Sequence, residues 1–150
     1  MSLKATIESD IKAALLGGDR FKADVLRNLK AAILNEEVAL GKRDEGLEDS
    51  AVEKVIAREV KKRAESATLY DQAEREELAT TERNEAIVLE AYLPEQVSEE
   101  EISKVISEVI EKTGASGPSA MGQVIGAVKG RFGNTADGAT IAKLVKEALQ

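Results

Sequence analysis

Lys129, Arg131 and Lys143 stand close in sequence to three glycines, Gly122, Gly126 and Gly130, that recur every fourth residue. Ammonium and guanidinium groups bind phosphate, the guanidinium with two parallel donors. The glycine spacing places all three on one helix face, where each costs about 1 kcal/mol relative to alanine. Close approach of another helix is the leading reading of that face, and direct approach of a ligand is the alternative; the two can coexist. The series is not a phosphate loop, because no Gly-Lys-Ser/Thr follows it and no strand precedes it. Lys61-Lys62-Arg63, with Arg58 a turn earlier, is a rival basic patch. Glu59 and Glu65 interrupt it, so it reads first as a solvated helix face. Neither group has the interleaved aromatics of a single-strand binder.

Catalytic chemistry is not visible in the residue types. The chain has no histidine and no cysteine, which removes the usual nucleophile–base pairs, thiolate chemistry and the common zinc ligands. Carboxylates are plentiful, as in Glu74, Glu76, Glu77 and Glu99 to Glu101, but they fall in charged helix faces and first turns. There they favour water and the helix dipole rather than paired acid–base work. No cofactor, no metal and no catalytic residue is expected.

The elements that must position the cations are helices. Ser2 caps a first helix with Leu3, Ile7, Ile11 and Leu15 on its apolar stripe, stopped by Gly17-Gly18. Asp19 caps a second, carrying Phe21, Val25, Leu29 and Ile33, with Leu26 and Leu34 widening the stripe. Gly41 to Asp49 reads as a polar loop. Ser50 with Glu53 forms a capping box for a third helix, with Val52, Val55, Ile56, Val60 and Ala64 facing inward. No Gly or Pro occurs between Leu47 and Leu93, and a break is expected around Asp71 to Glu76, where large apolar residues thin out. The fourth helix then runs to Tyr92 and ends at Leu93-Pro94. Ser98 with Glu101 caps the fifth, whose stripe is Ile102, Val105, Ile106, Val109 and Ile110 and whose stop is Gly114. The glycine-striped sixth helix and a seventh carrying Ile141, Leu144, Val145 and Ala148 complete the chain.

Composition agrees: charged residues are 33% and aromatics 3%, and no segment alternates with period two. The formal charge is −7, so nucleic acid is not drawn by bulk attraction and needs a local patch and a shape match. No apolar run approaches the ~20 residues of a membrane span, and the acidic N-terminal stretch is unlike a signal peptide. A cytoplasmic protein with no membrane contact is expected.

The landmarks together resemble the YqeY-like family. They include Asp24-Val25-Leu26-Arg27-Asn28-Leu29-Lys30-Ala31-Ala32-Ile33, Glu59-Val60-Lys61-Lys62-Arg63-Ala64-Glu65-Ser66 and Tyr92-Leu93-Pro94-Glu95-Gln96-Val97-Ser98. The most specific part is Met121-Gly122-Gln123-Val124-Ile125-Gly126 with Thr113-Gly114-Ala115 and Ala136-Asp137-Gly138. That C-terminal pattern is also similar to the tail domain of the B subunit of the tRNA-dependent amidotransferase. The resemblance implies an all-α fold, with a four-helix N-terminal domain (1–93) and a small three-helix tail domain (94–150). It also implies tRNA as the partner of the tail; Lys129, Arg131 and Lys143, the cations beside the bulk-free glycines, are then the expected contacts on physical grounds. The leading expectation is a non-catalytic, tRNA-associated accessory protein. Docking on another, unidentified protein through the acidic N-terminal helices is the runner-up. A carbon–nitrogen ligase using glutamine as amide donor is the weakest reading, because the catalytic parts of that enzyme have no counterpart here.

Overall fold

Ser2 Oγ accepts a hydrogen bond from the Ala5 N–H, and helix α1 starts behind it at Leu3–Leu16. Asp19 does the same for α2, Arg20–Ala39, by accepting from the Lys22 N–H. Helix α3 is Asp49–Gln72 and α4 is Glu76–Glu90. Helices α5, Glu99–Thr113, α6, Met121–Phe132, and α7, Gly138–Ala148, follow, with single 3-10 turns on either side of α6. The computed structural model describes all 150 residues, Met1–Gln150, and contains no strand. Chain contacts divide it into two units, Met1–Leu93 and Pro94–Gln150.

The first unit is built around Ile7, Ile11, Val25, Leu26, Leu29, Ile33, Leu47, Val52, Val55, Ile56 and Leu89. Each contributes roughly 1.5–3 kcal/mol of burial if fully removed from water. Several stripe positions differ from expectation. Leu15 is exposed and Ala14 is buried in its place: the buried face steps three residues on from Ile11 rather than four, and Leu15 and Leu16 of the last turn face solvent. Phe21 and Leu34 are exposed at the edges of α2, and Ala64 is exposed while Ala67 is buried. The polar loop contains a core residue, Leu47, at 8% exposure. The capping box at Ser50 does not form the end of α3. Glu48 is the N-cap and makes no side-chain cap bond, so the helix begins at Asp49, two residues sooner than a Ser50 cap would place it. Asp49 Oδ1 accepts from the Leu3 N–H instead and so joins α3 to the start of α1.

Helices α3 and α4 pack through alanines: Ala67, Ala79 and Ala86 are buried, and small side chains allow the two backbones to approach. Arg63 locks this pair. Its Nε donates to Glu85 Oε2 at 3.1 Å and its Nη1 to the Glu59 carbonyl at 3.1 Å. The turn between them passes through Glu74 at φ +58°, a left-handed position that normally takes glycine. At the end of the unit the Tyr92 hydroxyl donates to Asp10 of α1.

In the second unit Ser98 caps α5 by accepting from the Glu101 N–H, and Gly114 closes it at φ +68°. Ile102, Val105, Ile106, Val124, Val128, Ala136, Ile141 and Val145 form the core. Ala148 is exposed, and Leu149, one residue beyond α7, packs instead.

Candidate nucleic-acid interface

Helix α6 turns Val124 and Val128 into the core, both at 0% exposure. At about 100° per residue, Gly122, Gly126 and Gly130 then centre on the opposite side of the helix. A Cβ built on any of these three glycines meets nothing within 4 Å. The expected close packing of a helix on the glycine face is therefore not present: the face is open, because the two valines, not the glycines, point at α5 and α7. The same arithmetic separates the two cations of α6 by about 160°, since two residues of helix turn through roughly 200°.

Lys129 flanks the glycine face and lies along the start of α7: a Cβ on Gly138 would meet its Cε at 3.1 Å and its Nζ at 3.2 Å. Asp137 caps α7 there by accepting from both the N–H and the hydroxyl of Thr140. Arg131 turns the other way, toward α5, where its Nη1 donates to Glu108 Oε2 at 2.9 Å. That pair is half-exposed, with side-chain exposures of 57% and 47%, and such pairs contribute about 0–1 kcal/mol. Beside it is a cleft of about 460 Å³ lined by Glu108, Val109, Lys112, Thr113, Ala127 and Arg131. Lys112, absent from the sequence expectation, joins Arg131 there; its signal is a cation in the last turn of α5, above the Gly114 stop. Lys143 stands two residues from both Ile141 and Val145, on the solvent side of α7. Lys129 and Lys143 form no ion pair, whereas Arg131 does.

The rival basic patch is less available than its spelling implies. Arg63 has only 11% side-chain exposure and is held between Glu59 and Glu85. Lys62 Nζ sits 3.3 Å from Glu59 Oε2, and Arg58 donates to Glu36 of α2. Arg58 and Arg63 tie helices together. Their carboxylate partners are spread over α2, α3 and α4, which sequence spacing does not reveal.

Three carboxylates are perturbed, the exposed Glu8 being held below the usual range by its hydrogen bond from Lys30. Glu37 is the one buried charged residue of the chain, at 3% exposure. The Lys4 ammonium at 2.6 Å holds its carboxyl below the usual range despite burial, helped by the Leu47 N–H at 2.8 Å. Glu82 is pushed up by burial and by the neighbouring charge of Glu85. No group of three or more acidic side chains is placed to hold a metal ion. No helix is long and apolar enough to cross a membrane.

The family model for Yqey-like proteins matches residues 4–149. The chain belongs to that family. Three curated relatives of this Yqey-like chain share one description, "Altered inheritance of mitochondria protein 41, mitochondrial". The protein from Pyrenophora tritici-repentis is 26% identical over 148 residues, covering 95% of this chain and 78% of its own. That from Clavispora lusitaniae is 25% identical over 117 residues, covering 77% and 66%. That from Meyerozyma guilliermondii is 31% identical over 88 residues, covering 59% and 44%. The aligned part thus spans from under half to about four-fifths of those relatives' own length.

Proposed function

We propose that this Yqey-like protein is a non-catalytic accessory factor whose C-terminal unit contacts tRNA by shape and phosphate. The observation that carries the reading is the open glycine face of α6, flanked by Lys129 and followed on α7 by Lys143. Both are exposed lysines without carboxylate partners. A backbone without side chains lets a phosphate ribbon lie close, and long lysines reach it while their stems stay packed. Arg131 joins the interface after releasing Glu108, at a cost below about 1 kcal/mol for so exposed a pair. The resemblance of this unit to the amidotransferase B-subunit tail points the same way. We place the protein in a compartment with its own charged tRNA, which the cytoplasm and the mitochondrion named in its relatives' descriptions both satisfy.

The test is fluorescence anisotropy of labelled tRNA with the full chain across a salt series. Binding should weaken steeply with salt, and Lys129→Ala with Lys143→Ala should shallow the slope by roughly one counterion per lost contact. Lys61→Ala with Lys62→Ala should leave it unchanged. Salt-insensitive binding, or loss only with the second pair, defeats the assignment. Given glutamine, ATP and mischarged tRNA, the pure protein should transfer no amide.

A further inference from the structure

The first unit carries a groove that the tRNA reading does not use. It lies between α1 and α2, encloses about 530 Å³, and is lined by Lys4, Ile7, Glu8, Arg27, Lys30, Ala31, Ile33, Leu34, Glu37 and Arg43. Its wall on α2 continues as one stripe: Arg27, Ala31, Leu34 and Val38 fall within about 60° of each other around the helix. Leu34 is 45% exposed and Val38 57%. Their apolar surface therefore faces solvent, beside a floor that already contains Ile7 and Ile33. From Arg27 to Val38 the stripe extends for about 16 Å, or three helical turns.

Its charge is unlike that of the rest of the chain. Four cations and two carboxylates line it, in a protein whose net charge is −7. Two of the cations are already neutralised, Lys4 by Glu37 at 2.6 Å and Lys30 by Glu8 at 2.5 Å. The other two are less compensated. Arg27 comes no nearer than 3.9 Å to a carboxylate, that of Asp24, and Arg43 forms no ion pair. One guanidinium without an ion pair, Arg43, and one only loosely paired, Arg27, thus rim an apolar trough three turns long.

The geometry points to this groove as the docking site for an amphipathic helix of a partner protein. That helix presents aliphatic side chains at i, i+3/i+4 and i+7, with Asp or Glu on its flanks. The trough accepts the aliphatic stripe in the manner of helix-in-groove recognition. Arg27 and Arg43 meet the flanking acids with planar, bidentate donors. Nucleic acid fits it less well, since no aromatic side chain lines it for a base to stack on. A second copy of this chain is disfavoured by the −7 charge that each copy carries. Protein docking then falls on a cationic face of the first unit rather than on the acidic faces of its helices.

The probe is a synthetic three-turn helix with leucines at i, i+3 and i+7 and glutamates beside them, with a twin carrying lysines for the glutamates. Each is titrated into the isotope-labelled full chain and followed by amide chemical shifts. The glutamate helix should perturb Ala31, Leu34, Val38 and Arg43, and the lysine twin should not. Leu34→Asp should weaken binding at least tenfold, as should Arg27→Glu combined with Arg43→Glu. The latter variant should also acquire affinity for the lysine twin, which a merely unfolded protein cannot do. Equal binding of both twins overturns the inference, as do shifts confined to other surfaces or none at millimolar peptide. So does displacement of the helix by tRNA, or a peptide-sensitive dimer in sedimentation.

Discussion

Replacing Gly126 by alanine should stabilise the C-terminal unit, although close packing on a glycine face would make the same change harmful. The structure sets both sign and size. Gly126 lies in the middle of α6, a new Cβ there meets nothing within 4 Å, and alanine exceeds glycine in helix propensity by about 0.8–1 kcal/mol. Overpacking, by contrast, costs about 1–3 kcal/mol, so the two accounts differ by about 2–4 kcal/mol. For so small a unit, 1 kcal/mol shifts the midpoint by about 4–8 °C. Both tyrosines lie in the first unit, so optical probes report poorly on this one. Native-state hydrogen exchange at the Val128 and Val145 amides is the better measurement. Their protection should rise about fivefold in Gly126→Ala, and Gly126→Leu should also be stabilising. A drop in protection in either variant would falsify the open-face description. If the face also receives a phosphate backbone, Gly126→Leu should weaken tRNA binding while raising stability. A loss of affinity from global unfolding cannot produce that pairing.

Other consequences concern the first unit. Glu37 titrates below the ordinary carboxylate value of 4.5 in the folded protein. The stability it contributes is therefore complete above pH 4.5 and is lost as pH falls through the lowered value. Glu37→Gln should be less stable at neutral pH and should flatten that acid limb in urea titrations. Arg63→Met should cost about 2–3 kcal/mol by leaving Glu85 without its Arg63 partner, and Glu59 with Lys62 alone, at partial burial, seen as a lower urea midpoint with unchanged tRNA affinity. Glu74→Gly should stabilise by about 0.5–1 kcal/mol: it relieves the 1–2 kcal/mol cost of a left-handed residue and incurs glycine's smaller entropic cost. A calorimetric midpoint that falls would show that the turn is held by the glutamate itself.

Local bonding explains which features were legible beforehand. Ser2, Asp19 and Ser98 each accept from an N–H three residues on, and Gly114 closes α5 within its own turn. Such signals need no knowledge of neighbours. The break near Asp71 was visible because the apolar stripe lapses there. Features set by neighbours were not legible. Glycine spacing marks a face but not its direction, and Val124 with Val128 decided that direction by burial. Glu37 continues the four-residue register of Val25, Leu29 and Ile33, so its inward position was readable; the Lys4 ammonium that makes it tolerable comes from another helix. Arg63 looked like a surface cation because its carboxylate partner Glu85 is 22 residues away. Arg27 and Arg43 formed no sequence cluster, and only the fold places them on one rim.

The hydrogen bond from Tyr92 to Asp10 joins residues 82 apart, and this has a consequence for biosynthesis. A ribosome adding about 5–20 residues per second takes roughly 4–16 s to travel from one to the other. During that interval α1 has emerged and can pair with α2, while the aspartate still lacks its phenol and the cluster still lacks Leu89. The lining of the α1–α2 groove is complete as soon as Arg43 has been added. A nascent chain thus displays its cationic trough well before the bundle beneath it has closed, and a helical partner present at the polypeptide exit would meet that surface first.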